Sequence, residues 1–381
     1  MIKRQMTAKL RALARQYPVV TLTGPRQSGK TVLCREVFAG KAYVSLEDLD
    51  VRRRAVSDPR AFLAGFPKGA VFDEIQRVPD LLSYIQGIVD KDPSPGRFVV
   101  TGSHQFELMR SVNQSLAGRT AVLRLLPFSY GEIYPGKRVA LEDVFWKGFY
   151  PRIHDRKLDP VEALSFYVST YIERDVRQLL NVKDVSRFEV FLKLCAGRTG
   201  QILNLSSLGA ECGITHNTAR DWLAVLEASY IVHLLRPHHQ NFNKRLIKAP
   251  KLYFIDTGLA SFLLDIRRKE QWASHPLRGA LFETFVVAEL LKARFNVARP
   301  SNLYYFRDNI GNEVDILVDE GTAIIPIEIK SGTTVAQDFF KGIEYYRKLN
   351  PEHAKDPVLV YGGTEAYCEK GVSVTPYHRI K

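Results

Sequence analysis

The apolar and polar positions of the chain change rhythm twice. From about residue 6 to residue 133, short apolar runs alternate with amphipathic stretches. The runs are Val19-Val20-Thr21-Leu22-Thr23, Ala42 to Leu46, Gly69 to Phe72, Arg97 to Thr101 and Ala121 to Leu125. Runs of this length that end in small or charged residues, with helical periods between them, predict the strands of an α/β sheet. Met6 to Tyr17 carries Leu10, Leu13 and Ala14 at helical spacing and reads as a lead-in helix. Residues 134 to 156 hold Pro135-Gly136, Gly148 and Pro151 and read as connective, with one helical piece over Glu142 to Trp146. Asp159-Pro160 then opens a helix with Leu164, Tyr167 and Val168 on one face, followed by Glu173-Arg174-Asp175. Further helices are predicted over 187–195, 205–212 and 215–226. The last third mixes a helix over 276–292 with strands at 251–255, 313–318 and 325–330. The resulting division is 1–133, 134–195, 196–250 and 251–381.

The first apolar run meets Gly24-Pro25-Arg26-Gln27-Ser28-Gly29-Lys30-Thr31, which fits G-x-x-x-x-G-K-[ST] between a strand and a helix. Consecutive backbone amides entering a helix N-terminus supply the donors that a polyphosphate needs, and Gly24 and Gly29 let the chain wrap that tightly. Lys30 is expected on the β- and γ-phosphates, and the Thr31 hydroxyl on Mg²⁺. The run Ala70-Val71-Phe72 ends in Asp73-Glu74. At a strand tip beside the loop, Asp73 is expected to hold the Mg²⁺ shell and Glu74 to orient the attacking water. Val99-Val100-Thr101-Gly102-Ser103 ends in two hydroxyls, either of which could reach the γ-phosphate or the water, although a plain strand-end turn explains the same residues. Arg119, after Gly118 at the mouth of a strand, suits charge neutralisation in its own or a neighbouring subunit, or simply a surface position.

These segments, with Gly118-Arg119 running into Leu125-Leu126-Pro127-Phe128-Ser129, resemble the bacterial and archaeal AAA-type ATPases that carry a C-terminal DUF4143 region. The resemblance implies an additional-strand P-loop fold, ATP with Mg²⁺, and frequent oligomeric working states. It assigns Lys30 and Thr31 to the nucleotide loop and Asp73 with Glu74 to the acid pair. Ser103 takes the sensor-like strand end, and Arg119 the arginine that follows it. Pro250, Lys251, Tyr253, Asp256 and Gly258 match the family's pK-x-Y-x-x-D-x-G segment.

Leu205 to Cys212, Gly213-Ile214-Thr215, then His216 to Leu226 has the rhythm of helix, tight turn and second helix, with Tyr230 to Leu235 as a wing strand. His216, Asn217 and Arg220 would face a DNA groove. Such modules also contact proteins. In the last third, Glu283 on a helix, Asp315 in a strand and Glu328-x-Lys330 ending the next strand resemble the PD-(D/E)xK nuclease fold. Two carboxylates converging on a divalent ion beside a lysine can hydrolyse a phosphodiester, yet the same fold also serves as a binding or assembly domain.

Charge sharpens the choice of partner. The chain of 381 residues has a net charge of +13, and hydrophobic residues at 45% are those of a globular protein. Between Glu227 and Asp256 there is no acidic residue, whereas Arg236, Lys244, Arg245, Lys248 and Lys251 fall there. This basic field suits DNA, with solvated surface charge as the plainer account. No apolar run is long enough to span a bilayer, and no apolar core follows the basic start. Cys34, Cys195, Cys212 and Cys368 lack metal or redox spacing, which fits reduced thiols in the cytoplasm. The functional expectation is Mg²⁺-dependent ATP hydrolysis coupled to DNA binding or remodelling by a homo-oligomer. The alternatives are a nucleotide-gated scaffold that binds protein, and a nuclease regulated by ATP.

Overall fold

The computed structural model describes residues 2–103, 108, 112, 114–172, 185–238 and 248–380. Two compact units emerge, one formed by residues 1–128 with 228–230 and 294–300, the other by 129–227, 231–293 and 301–381.

The first unit is built on strands β1 (Val19–Thr23), β2 (Ala42–Ser45), β3 (Ala70–Asp73), β4 (Phe98–Gly102) and β5 (Thr120–Arg124). They form one parallel sheet in the order β2-β3-β4-β1-β5. The insertion of β4 between the loop strand and the acid strand is the additional-strand arrangement. Apolar side chains alternate between the two faces of the sheet. Val19, Phe72, Phe98 and Val100 join one core with Leu81, Leu82 and Ile85, and Val20, Leu22, Val71 and Val99 join another with Met6, Leu10 and Leu33. Burial on both faces explains why these strands read as continuous apolar runs.

The second unit opens with helices Tyr130–Ile133, Leu141–Lys147, Pro151–Arg156 and Pro160–Tyr167, the last continuing as a π-helical turn over Val168–Ile172. The segment expected to be connective is therefore mostly helical. Pro151 sits at the first turn of a helix, where its missing N–H costs nothing. Ser129 and Glu132 form a reciprocal capping box that starts the first of these helices. Residues 173–175 lie outside the described chain.

Helices Val185–Gly197, Leu205–Cys212 and His216–Ala228 follow. Gly213, at φ +65°, closes the middle one in the left-handed conformation, and Thr215 Oγ1 accepts from Thr218 N at 3.1 Å to start the next. Strands β6 (Val232–Leu235) and β7 (Lys251–Phe254) pair antiparallel, and Ile202 bridges to Lys251. Past the helix Thr257–Leu263 comes the long helix Arg278–Asn296, buried over most of its length from Leu281 onward. Its Glu289 and Lys292 pair at 2.9 Å while both are buried. Strands β8 (Leu303–Arg307), β9 (Glu313–Asp319) and β10 (Ile324–Lys330) form an antiparallel meander. After the helix Lys341–Leu349, β11 (Val358–Tyr361) lies parallel to β10. Strands β12 (Tyr367–Glu369) and β13 (Val372–Pro376) complete a mixed sheet ordered β12-β13-β11-β10-β9-β8. Among the described residues no helix is long and apolar enough to cross a membrane. All four cysteines are free thiols.

Candidate functional site

The phosphate loop leaves β1 at Gly24 and enters the helix Lys30–Val37 at Gly29. Gly24 has φ +152°, and a Cβ there would stand 2.1 Å from the Leu125 carbonyl oxygen, so the first glycine is fixed by the neighbouring backbone. Gly29 has φ +91°, and Gln27, a residue with a side chain, has φ +59°. Left-handed backbone at a residue other than glycine is strain of the kind held at functional sites. Lys30 is buried and donates to the carbonyls of Gly24 (2.9 Å) and Pro25 (2.8 Å), bracing the loop from inside. Burial lowers its pKa, and the Glu74 and Asp73 carboxylates work against that shift.

Asp73 collects hydroxyl donors from three directions. Thr31 Oγ1 donates to Oδ2 at 2.7 Å, Tyr43 also donates to Oδ2, and Thr101 donates to Oδ1. Thr31 and Asp73 are thus adjacent and oxygen-rich, which fits a hard cation that keeps part of its water shell. Glu74 lies just past the strand with φ +56°. Its Oε2 accepts from Ser103 Oγ at 3.1 Å and from Gln76 Nε2. The two hydroxyls at the tip of β4 thereby divide between the acids, Thr101 on Asp73 and Ser103 on Glu74.

Tyr43 was not flagged by its sequence context, although a tyrosine on the strand beside the acid strand is a usable signal. The Arg35 guanidinium lies 4.0 Å from the centre of its ring. Removing a donor that orients a metal's carboxylate costs metal affinity. Tyr43→Phe is expected to raise the Mg²⁺ concentration for half-maximal ATP turnover by about tenfold while kcat at saturating Mg²⁺ changes less than about threefold. A Mg²⁺ titration of both proteins measures this, and superimposable curves would remove Tyr43 from the site.

Arg119 lies elsewhere. Val19 N donates to its carbonyl, which puts it at the start of β5, beside the start of β1. The phosphate loop leaves the other end of β1, roughly 16 Å of strand away. Its guanidinium forms a two-bond fork with Asp90, donating from Nη2 to Oδ2 at 3.0 Å and from Nε to Oδ1, and donates from Nη1 to the Ala117 carbonyl at 3.0 Å. The option of Arg119 acting on the phosphates of its own chain is corrected by this geometry. The plain surface position and the neighbouring-copy option remain.

In the second unit, His216, Asn217 and Arg220 are exposed, while Ala219, Trp222, Leu223 and Leu226 of the same helix are buried. Lys248 is exposed as well, while Lys244 and Arg245 lie outside the described residues. Lys251 does not belong to the basic surface. It is 2% exposed and its ammonium lies 2.9 Å from Glu283 Oε1 and 2.5 Å from Glu313 Oε1. A charge count along the sequence could not reveal carboxylates so distant in the chain.

Glu283, Asp315, Glu328 and Lys330 act on one another electrostatically. The Ile327–Ile316 pairing of β10 with β9, carried one residue further, sets Glu328 opposite Asp315. Asp315 Oδ2 accepts from Ile329 N at 2.7 Å, and Lys330 Nζ lies 2.6 Å from Glu328 Oε1. Burial first, then the Asp315 charge, raises the Glu328 carboxyl well above the ordinary glutamate range. Burial raises Glu283 too, with Lys251 pulling the other way. Tyr253 donates to the oxygen of Glu283 that Lys251 holds. Lys251 and Tyr253 alternate with Leu252 and Phe254 on β7, a spacing of two that could have marked them as one face.

Comparison with known proteins agrees with the geometry of the loop. Residues 16–134 match the AAA domain family, residues 278–380 the domain of unknown function DUF4143, and residues 138–270 the domain of unknown function DUF8612. Uncharacterized proteins of Mycobacterium tuberculosis and Mycobacterium bovis are each 31% identical over 336 residues, covering 87% of this chain and 74% of theirs. Among solved structures, a Walker-type ATPase of Pyrococcus abyssi is 14% identical with a TM-score of 0.47, over 69% of this chain and 96% of its own. The RuvB Holliday junction branch migration motor of Thermotoga maritima is 19% identical with a TM-score of 0.32, over 62% and 90%.

Proposed function

Because the chain belongs to the family of P-loop ATPases that join an AAA domain to a C-terminal DUF4143 domain, we propose that it hydrolyses ATP with Mg²⁺ and couples hydrolysis to engagement of DNA. The observation that carries the first half is the 2.7 Å bond between Thr31 and Asp73 beside a loop braced by Lys30. A Mg²⁺ ion at that place would supply positive charge against the charge developing on the transferred phosphoryl group. Thr31 and Asp73 would hold that ion, the loop amides would cradle the phosphates, and Lys30 would turn from the Gly24 and Pro25 carbonyls to the β- and γ-oxygens. Glu74, aimed by Ser103 and Gln76, orients the attacking water. Arg119 acts in trans, leaving Asp90 for the nucleotide of a neighbouring copy in a homo-oligomer.

DNA engagement is supported by the succession of three helices and an antiparallel strand pair, which is the order of elements in a winged helix. The exposed His216, Asn217 and Arg220 lie at the start of its third helix, with the exposed Lys248 just before β7. The net charge of +13 favours a polyanion. The test is ATP turnover of wild type and Lys30→Ala, with and without DNA of several shapes. Severalfold stimulation of wild type, with Lys30→Ala at background throughout, is the expected result. Arg220→Ala is expected to weaken binding and to lower the slope of log affinity against log salt by about 1. Turnover and gel shifts that ignore DNA would instead favour the nucleotide-gated scaffold.

A further inference from the structure

The acid cluster of the mixed sheet carries its own cation. The Lys251 side chain is 3% exposed and binds both Glu283 and Glu313, and Arg307 Nη1 takes the second oxygen of Glu313 at 3.0 Å. Tyr253 adds a hydroxyl to Glu283, and Lys330 holds Glu328. An ammonium so deeply placed is tolerable only because carboxylates surround it, and they are tolerable only because of the ammonium. A helix, an antiparallel meander, a helix and a parallel strand, with acids at Glu283, Asp315 and Glu328, is an arrangement that in a nuclease would hold a divalent ion. The side chains do not fit that ion. Carboxylates that bind Mg²⁺ or Mn²⁺ turn their oxygens to one point. Among the described residues no three His, Cys, Asp or Glu side chains do so. Glu328 Oε2, the cluster's one buried oxygen that makes no hydrogen bond, instead lies 3.0 Å from where a Cβ of Gly342 would stand.

We propose that Lys251 is a built-in counter-ion, standing where a divalent cation would neutralise Glu283 and its neighbours, so that this nuclease-like domain is metal-free and does not cleave. The inference is independent of the nucleotide site. A merely structural lysine would make its replacement destabilising and nothing more. A counter-ion in the place of a metal makes its replacement open a metal site.

The experiment uses the full chain without nucleotide and Mn²⁺ as the probe, followed by electron paramagnetic resonance and thermal melting. Wild type should hold no Mn²⁺ that depends on Asp315, and should leave supercoiled and branched DNA intact in Mn²⁺. Lys251→Met should bind Mn²⁺ at least about tenfold more tightly than wild type, and saturating Mn²⁺ should raise its Tm by about 5 °C. Adding Asp315→Asn to Lys251→Met should cancel both gains. If Lys251→Met does not fold, Lys251→Gln, which keeps a polar tip on Glu283, carries the same comparison. A Mn²⁺ ion in wild type that disappears with Asp315→Asn, DNA cleavage that disappears with the same change, or no gain of Mn²⁺ in the folded Lys251 variant would each overturn the proposal.

Discussion

Glu74→Gln is expected to lower kcat for ATP by about 10²- to 10⁴-fold while nucleotide affinity stays within about threefold of wild type. The amide has the size and shape of the carboxylate and can still accept a bond from Ser103 or Gln76. What it loses is the negative charge and the capacity to take a proton from water. With the ground-state contacts to the phosphates assigned to the loop amides and Lys30, as proposed above, the loss falls on the chemical step. It amounts to about 3–5 kcal/mol of transition-state stabilisation, at 1.36 kcal/mol per factor of ten. Single-turnover hydrolysis and binding of a fluorescent ATP analogue separate the two effects. Turnover within about fivefold of wild type would show that another group activates the water. Ser103→Ala is a useful companion, since it removes only the bond that aims Oε2. It should cost far less than loss of the carboxylate itself.

The parts of this site that were readable in the sequence are those whose chemistry is contiguous. Eight consecutive residues, Gly24 to Thr31, make the phosphate loop, and two more, Asp73 and Glu74, make the acid pair. Strand and helix on either side followed from apolar runs buried on both faces. What stayed hidden depended on partners far away in the chain. Tyr43 reaches Asp73, and Lys251 reaches Glu283 and Glu313, yet neither pairing leaves a periodic mark. Lys251 therefore passed for surface charge. The proline and glycine positions of residues 134–156 were ambiguous for a different reason. Proline breaks a helix in its interior and starts one at its first turn, and only the Pro151 backbone shows which applies. Arg119 precedes β5, and which end of the sheet that is depends on whether β5 runs parallel or antiparallel to β1; the parallel pairing puts it at the end away from the phosphate loop.

The K-x-Y-x-x-D-x-G segment shows how one motif serves two ends. Its lysine and tyrosine enter the acid cluster. Its aspartate and glycine fasten the helix Thr257–Leu263 to the turn after the helix Leu141–Lys147. Gly258 and Gly148 approach so closely that a Cβ on Gly258 would stand 2.7 Å from the Gly148 Cα, so the two chains can pass only without side chains.

Asp256→Ala is expected to destabilise the second unit by about 3–5 kcal/mol, the largest loss of stability predicted for a single side chain here. Asp256 is 1% exposed. Its Oδ2 accepts from Phe149 N at 2.7 Å and its Oδ1 from Leu259 N at 2.8 Å, so it caps one helix while gripping the chain that leaves another. Alanine would strand both N–H groups in a dry site, at about 1–3 kcal/mol each, and leave a cavity behind. Burial raises the Asp256 carboxyl pKa above its unfolded value, against the pull of the Leu259 N–H, the Lys292 charge and the Phe149 N–H. The native state therefore binds this proton more tightly than the unfolded chain. Its stabilising contribution is complete below the unfolded pKa and declines as pH rises through the folded one. Asp256→Asn keeps one acceptor without the charge. It should fall between wild type and Asp256→Ala at pH 7, and it should lack the decline. Urea unfolding of the three proteins across that pH range measures both effects. An Asp256→Ala midpoint indistinguishable from wild type would mean that water or a local shift satisfies the two amides, and that the motif's aspartate is kept for something other than the fastening.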